Sequence, residues 1–202
     1  ASLAMARCLF WRGNYRESAA YCARSAEADD GFVRLRAIVR EAKANVGLRD
    51  PSSALARLRD AAALVQAEGA HEARAAMCCA SAFVHLSVND VDAAAADARA
   101  ALSAARQAHH PMRVMQARLV LGECERRAGR AGLATPFLRR VLRISRDRIP
   151  SLMRTRADLL AALCDRPEAA REQTARHADR TGLHGLELYG TGNRKPEASV
   201  AW

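Results

Sequence analysis

Helix-breaking residues recur along this chain at nearly even spacing. Breaks fall at Gly13, Gly47, Asn89, Gly129 and Asp165, which lie 34, 42, 40 and 36 residues apart. That distance is the length of one helical hairpin with its loops. A second set of turn sequences, rich in the glycine and proline that end helices, lies between the breaks. They are Asp29-Asp30-Gly31, Glu68-Gly69, His109-His110-Pro111, Arg148-Ile149-Pro150 and Thr181-Gly182.

These two sets of helix-ending residues predict ten helices in five antiparallel pairs. The predicted ranges are 2–12, 15–28, 32–46, 51–67, 71–88, 91–108, 112–128, 133–147, 151–164 and 167–180. The composition agrees, because alanine and arginine form helices well and supply 76 of the 202 residues, while aromatic residues make up only 4%. All-β and parallel α/β folds are therefore excluded. A single hairpin cannot bury both its faces, so the five pairs must stack.

The chain contains no apolar run long enough to span a membrane and no leader with the pattern of a signal peptide. We expect it to be cytoplasmic and to be part of a larger bacterial protein. The six cysteines have no CxxC spacing and lie within apolar helical patterns, which predicts reduced, buried side chains. We expect no metal, no cofactor and no catalytic residues, because the sequence offers no nucleophile with a base, no ligand set and no phosphate loop.

One stretch of the chain has the pattern of a known repeat. Leu121-Gly122 is followed by Gly129, and then by Ala134, Leu138, Val141 and Leu142. Corresponding residues follow two other breaks: Gly13, Tyr15, Ser18, Cys22, Ser25 and Ala26 at the first, and Asn89, Val91, Ala94, Ala98, Ala101 and Leu102 at the third. The pattern resembles the tetratricopeptide (TPR) repeat over about residues 2–180. It is of the degenerate kind found in bacterial transcriptional regulators, such as LuxR-type or enhancer-binding activators.

The resemblance implies a right-handed, all-α solenoid of about five TPR-like helix hairpins over residues 1–181. Residues 182–202 would then be a connector or the start of a following segment. In this family the first helix of each pair faces the concave groove, where Phe10, Trp11 and Phe83 are candidate anchors for a peptide or helix, with interhelical packing as the alternative role. The residues that the resemblance places toward the groove are Arg7, Phe10, Trp11, Arg34, Glu41, Asn45, Phe83, Ser87, Gln116, Glu123 and Arg127.

The positive charge is concentrated in one part of the chain. The net charge is +10, and residues 113–156 contain twelve arginines against three carboxylates. Arg139, Arg143 and Arg146 share one helical face, with Arg140 beside them. This basic patch is either a solvated helix face, a docking surface for an acidic protein, or a contact for nucleic acid.

These observations together predict a non-catalytic protein-interaction or regulatory module. Its partner would be a protein or peptide, which could be another domain of the same chain, with no membrane partner. The alternative is a helical-repeat domain that contacts nucleic acid through the basic fourth hairpin. The interleaving of aromatic with basic residues that is expected of single-strand binding is absent, which makes nucleic acid the less favoured partner for this fragment.

Overall fold

The computed structural model describes residues 2–68, 70–144, 148 and 150–190. In this part of the chain the fold is all-α, and ten helices pack in neighbouring pairs in chain order, which confirms the predicted architecture. The helices are α1 Ser2–Trp11, α2 Tyr15–Ser25, α3 Gly31–Gly47, α4 Pro51–Glu68, α5 His71–Ser87, α6 Val91–Gln107, α7 Pro111–Arg127, α8 Ala131–Leu142, α9 Ser151–Asp165 and α10 Pro167–Thr181.

The helices form two layers. Successive first helices of the pairs (α1, α3, α5, α7 and α9) contact one another, whereas each second helix from α2 to α8 mainly contacts its own first helix and the next first helix. The first helices therefore form the inner, concave layer and the second helices form the outer layer. None of the described helices is long and apolar enough to cross a membrane.

The structure has a more regular period than the breaks in the sequence suggest. Helices α3, α5, α7 and α9 begin at residues 31, 71, 111 and 151, and α4, α6 and α8 begin at residues 51, 91 and 131. The middle of the array therefore repeats every 40 residues, which is longer than the usual TPR period of about 34. A residue of one inner helix thus has its structural equivalent 40 positions along the chain.

Aspartates begin three of the helices. Asp30 accepts hydrogen bonds from the backbone N–H groups of Phe32 (2.8 Å) and Val33 (3.0 Å). Asp50 and Asp90 accept equivalent bonds at the starts of α4 and α6. These side chains satisfy N–H groups that have no partner within the helix, so each contributes about 1 kcal/mol.

Left-handed residues end the helices at several predicted breaks. Gly13 and Gly129 have φ values of 83° and 76°, a region that favours glycine. At the second break α3 ends at Gly47, one residue after the predicted end, and Arg49 takes the left-handed conformation there (φ 61°). Gly47 also leaves room for Tyr15, since a Cβ atom there would lie 2.4 Å from the ring carbon Cγ.

Most helices end within two residues of the predicted positions. Helix α2 ends three residues early, at Ser25, and α8 ends at Leu142 rather than at 147. The amide of Ile144 bonds to the carbonyl of Val141, a tighter turn than an α-helix makes, so the helix has already ended there. Residues 145–147 lie outside the described part of the chain.

The segment after α10 returns to the N-terminal hairpin. A 3₁₀ turn, His184–Leu186, leads into the short helix α11, Glu187–Gly190. Gly185 lies so close to α1 that a Cβ atom there would be 2.8 Å from the carbonyl oxygen of Phe10. The segment therefore crosses from the last pair of helices to the first. The division of the chain into 1–181 and 182–202 stays a prediction, and residues 191–202 are not among those described.

Candidate functional site

The concave layer encloses a cavity of about 570 Å³. Helices α3, α5, α7 and α9 supply most of its walls, and α11 closes part of one side. The 40-residue period places equivalent residues on these walls. Lys43, Phe83 and Glu123 form one equivalent set, Gly47, Ser87 and Arg127 a second, Gln116 and Arg156 a third, and Val120 and Leu160 a fourth.

The floor of the cavity is apolar. Phe83, Leu119 and Leu160 are all buried and line it. The Tyr189 ring of α11 lies 4.9 Å from the Phe83 ring and stacks on the Trp11 ring at 5.9 Å between centroids. The aromatic side chains of α1, α5 and α11 therefore make one continuous wall.

The Arg156 guanidinium lies over the Tyr189 ring of this aromatic wall. Its Cζ atom lies 3.9 Å from the centroid of the Tyr189 ring, which is close enough for a cation–π interaction. No described carboxylate forms an ion pair with Arg156. The Arg156 guanidinium therefore contacts the Tyr189 ring and lines the cavity without a described carboxylate beside it.

Glu123 of the cavity wall is paired with two arginines. Glu123 is buried, and its carboxylate accepts hydrogen bonds from Arg126 (2.7 and 2.8 Å) and from Arg127 Nε (2.6 Å). Arg127 also donates to the backbone carbonyl of Leu86 and so joins α7 to the end of α5. Both carboxylate oxygens of Glu123 therefore already have partners.

Lys43 is a half-buried amine that lines the cavity and has no carboxylate partner among the described residues. Burial lowers the pKa of Lys43 to about 7. Desolvation disfavours the charged form, and nearby positive charges disfavour it further. Those charges belong to Arg156, Arg113 and Arg40.

The positive charge continues along the concave face beyond the cavity. Arg36 and Arg40 are the α3 equivalents of cavity-lining residues 80 positions along the chain, so they project from the same face of the inner layer. Burial lowers the pKa of the Arg40 guanidinium, whose buried Nε has no hydrogen-bond partner. The positive charges of three further arginines on inner helices also lower the pKa of Arg40: Arg7, Arg36 and Arg113. We call Arg7, Arg36, Arg40, Lys43, Arg113 and Arg156 the concave cations.

The sequence-predicted groove residues divide into two sets. Phe83, Ser87, Gln116, Glu123 and Arg127 line the cavity, and Trp11 supports its aromatic wall. Phe10 is buried against Trp11 and Tyr15 as a core residue, and Arg7 lies on α1 as one of the concave cations.

Three predicted residues of α3 do not line the cavity. Arg34 donates to the backbone carbonyl of Ala28, Glu41 pairs with Arg57 of α4 at 2.7 Å, and Asn45 is half-buried. Lys43, Val46 and Gly47 line it in their place. The 40-residue period contains the missing signal, because Lys43 lies 40 positions before Phe83 and Arg156 lies 40 positions after Gln116.

The basic patch lies on the outer layer. Arg139, Arg140 and Arg143 are exposed around a second depression of about 340 Å³ on α8, next to Pro136. Arg146, the fourth residue of the predicted patch, lies outside the described part of the chain. The two basic surfaces are thus on opposite layers, the concave cations inside and the patch outside.

Four of the six cysteines are buried, while Cys164 is partly buried and Cys8 is exposed on α1. The expectation of burial is therefore wrong for Cys8, which lies on a face of α1 that no described helix covers. Burial raises the pKa of the Cys22 and Cys124 thiols to about 12. Within the described residues no group of three histidine, cysteine, aspartate or glutamate side chains could hold a metal ion.

No protein-family model, curated protein or solved structure matches this chain. The site must therefore be interpreted from its own geometry.

Proposed function

We propose that the chain is a non-catalytic protein-interaction or regulatory module, built from TPR-like repeats and belonging to a larger bacterial regulator of the LuxR-type or enhancer-binding kind. Its partner is an acidic protein segment with apolar side chains that binds along the concave face. One observation carries the proposal. The inner helices combine an apolar cavity floor with six concave cations, five of which have no described carboxylate as an ion-pair partner.

Charge complementarity favours an acidic segment over a basic one. A partner carboxylate would replace the water lost by Arg40 and Lys43 and would relieve the repulsion between them. Apolar side chains beside that carboxylate would contact Phe83, Leu119 and Leu160. This combination of apolar anchors and charged neighbours is typical of groove recognition.

A binding role also agrees with the chemistry of the nucleophiles. The thiolate is the reactive form of cysteine, and burial raises the pKa of Cys78 to about 11 and of Cys124 to about 12. These thiols are therefore protonated at neutral pH. This supports a non-catalytic role, which stays part of the proposal.

A peptide selection with matched charge variants tests the proposal. Random dodecapeptides displayed on phage are selected on the wild-type chain, and the enriched peptides are measured by fluorescence anisotropy. We expect peptides rich in aspartate or glutamate with large apolar residues. The concave triple variant Arg7→Glu, Arg36→Glu, Arg40→Glu should lose at least tenfold in affinity.

The matched control reverses three charges on the outer layer, in the variant Arg139→Glu, Arg140→Glu, Arg143→Glu. It should bind the same peptides as the wild type. Enriched peptides without acidic residues, or peptides that lose affinity only in the outer variant, would refute a concave binding face. Circular dichroism checks that both variants keep the wild-type helix content.

Nucleic acid is the second candidate partner, and the exposed arginines of α8 favour it. Arg139, Arg140 and Arg143 surround one depression, where they could contact successive phosphates. If they do, duplex affinity should fall with a slope of about −0.9 per neutralised phosphate in a plot of log K against log salt concentration. The triple alanine variant should then lose about three such contacts. A slope unchanged by that variant would eliminate this candidate.

A further inference from the structure

The cavity has the dimensions and lining of a small-molecule site. Its volume of about 570 Å³ lies within the range of about 300–1,000 Å³ that such sites occupy. Its walls come from four different inner helices and from α11, so it is a built concavity and not a gap between two side chains. Its lining also includes polar groups that can orient a ligand, among them the Lys43 amine, the Gln116 amide and the Arg156 guanidinium.

The charges around the cavity are out of balance. Lys43, Arg49, Arg127 and Arg156 line it, and Glu123 is the one described carboxylate that does so. Glu123 is already bonded to Arg126 and Arg127. The remaining cations have no described carboxylate as an ion-pair partner. Buried charges in proteins are ordinarily paired, so an unpaired amine in a cavity calls for an anion from outside the described chain.

The apolar part of the lining limits what that anion can be. Phe83, Leu119 and Leu160 are buried along the floor, and the Tyr189 ring forms part of the wall. An inorganic ion would leave this surface without a contact. A ligand with a flat, apolar body and one anionic group would contact both the rings and the cations.

We propose that the cavity binds a small amphiphilic organic anion, with its charged group between Lys43 and Arg156 and its apolar body against Phe83, Leu160 and Tyr189. The class comprises aryl or alkyl carboxylates and phosphate monoesters. This inference concerns a small effector and does not require a protein partner, but it uses the same Lys43 and Phe83 surface as the proposed peptide, so the two ligands would compete for the cavity.

A pair of fluorescent probes with similar ring systems tests the charge requirement. 8-Anilinonaphthalene-1-sulfonate carries one negative charge, and N-phenyl-1-naphthylamine carries none. We expect the sulfonate to bind the folded chain with one-to-one stoichiometry, at least tenfold more tightly than the uncharged probe. Equal affinity for the two probes, or no saturable binding of the sulfonate at millimolar concentration, would overturn the proposal.

Variants locate the bound probe. Lys43→Met should weaken sulfonate binding at least tenfold and leave binding of the uncharged probe unchanged, and Arg156→Gln should also weaken it. Arg59→Met, which removes an exposed positive charge from α4, is the matched control and should bind the sulfonate like the wild type. Unchanged binding by both cavity variants, or an equal loss in the control, would overturn the site.

Competition then identifies the natural anionic group. Phenylpropionate and phenyl phosphate are titrated against the bound sulfonate. Displacement by one of them supports the site and identifies a carboxylate or a phosphate as the preferred group. Displacement by neither would refute the proposed ligand class.

Discussion

Replacing Lys43 by methionine should stabilise the folded protein at neutral pH. Lys43 has no described carboxylate partner, and burial lowers its pKa to about 7 from 10.5. The unfolded chain therefore binds more protons than the folded protein between pH 7 and pH 10.5. Wild-type stability due to this group should rise with pH across that window and be lowest below pH 7. Methionine has a similar length and no charge, so it removes this dependence.

The size of the effect follows from the difference between the two pKa values. The lowered pKa of Lys43 reduces the free energy of unfolding of the wild type by about 4 kcal/mol at pH 7 and by about 2 kcal/mol at pH 9. The effect is smaller at pH 9 because the lysine of the unfolded chain begins to lose its own proton as the pH rises. For a chain of this size about 4 kcal/mol corresponds to an increase in Tm of roughly 8–16 °C.

Urea unfolding of the wild type and of Lys43→Met at pH 7 and pH 9 measures this difference directly. The buried cysteines titrate in both proteins, so their contribution cancels when the two are compared. We expect the stabilisation to be about half as large at pH 9 as at pH 7. Destabilisation by the substitution at pH 7, or a benefit that does not change with pH, would show that Lys43 is charged and satisfied in the folded protein.

Four further substitutions test the helix packing and the buried polar groups. Gly47→Ala places a Cβ atom 2.4 Å from the Tyr15 ring and should lower the free energy of unfolding by about 1–3 kcal/mol in urea melts. Gly132→Ala, where a Cβ atom meets nothing within 4 Å, is its control and should stabilise α8 by about 0.5–1 kcal/mol. Glu123→Gln leaves two arginines without their carboxylate and should cost about 3–5 kcal/mol, and a loss under 1 kcal/mol would contradict the buried cluster. Burial raises the pKa of Cys22 to about 12, so the unfolded chain loses this proton first and stability should fall as pH rises above 9; a Cys22→Ala variant with the same pH slope would refute this.

The order and pairing of the helices could be predicted because they depend on local chemistry. Glycine, proline and aspartate favour the ends of helices, and Asp30, Asp50 and Asp90 begin helices here, although Gly122 and Pro136 lie within α7 and α8. The packing role of Gly47 could not be predicted in the same way. Its role is set by Tyr15, a residue 32 positions earlier, and a turn signal in the sequence contains no information about that contact.

The cavity was only partly predictable for a similar reason. Phe83, Gln116 and Glu123 could be assigned to the groove, but the assignment for α3 was displaced toward Arg34 and Glu41. The irregular spacing of the breaks concealed the 40-residue period that relates Lys43 to Phe83. The return of Tyr189 to the wall depends on packing between the two ends of the array, which no local pattern encodes.

Hydrogen exchange with the selected acidic peptide bound tests most directly whether the concave face is the binding surface. Exchange is measured by mass spectrometry for the free and the bound chain. We expect slower exchange in α3, α5, α7 and α9, with no change in α4, α6 and α8. Slower exchange confined to α8 and the other outer helices would contradict this expectation.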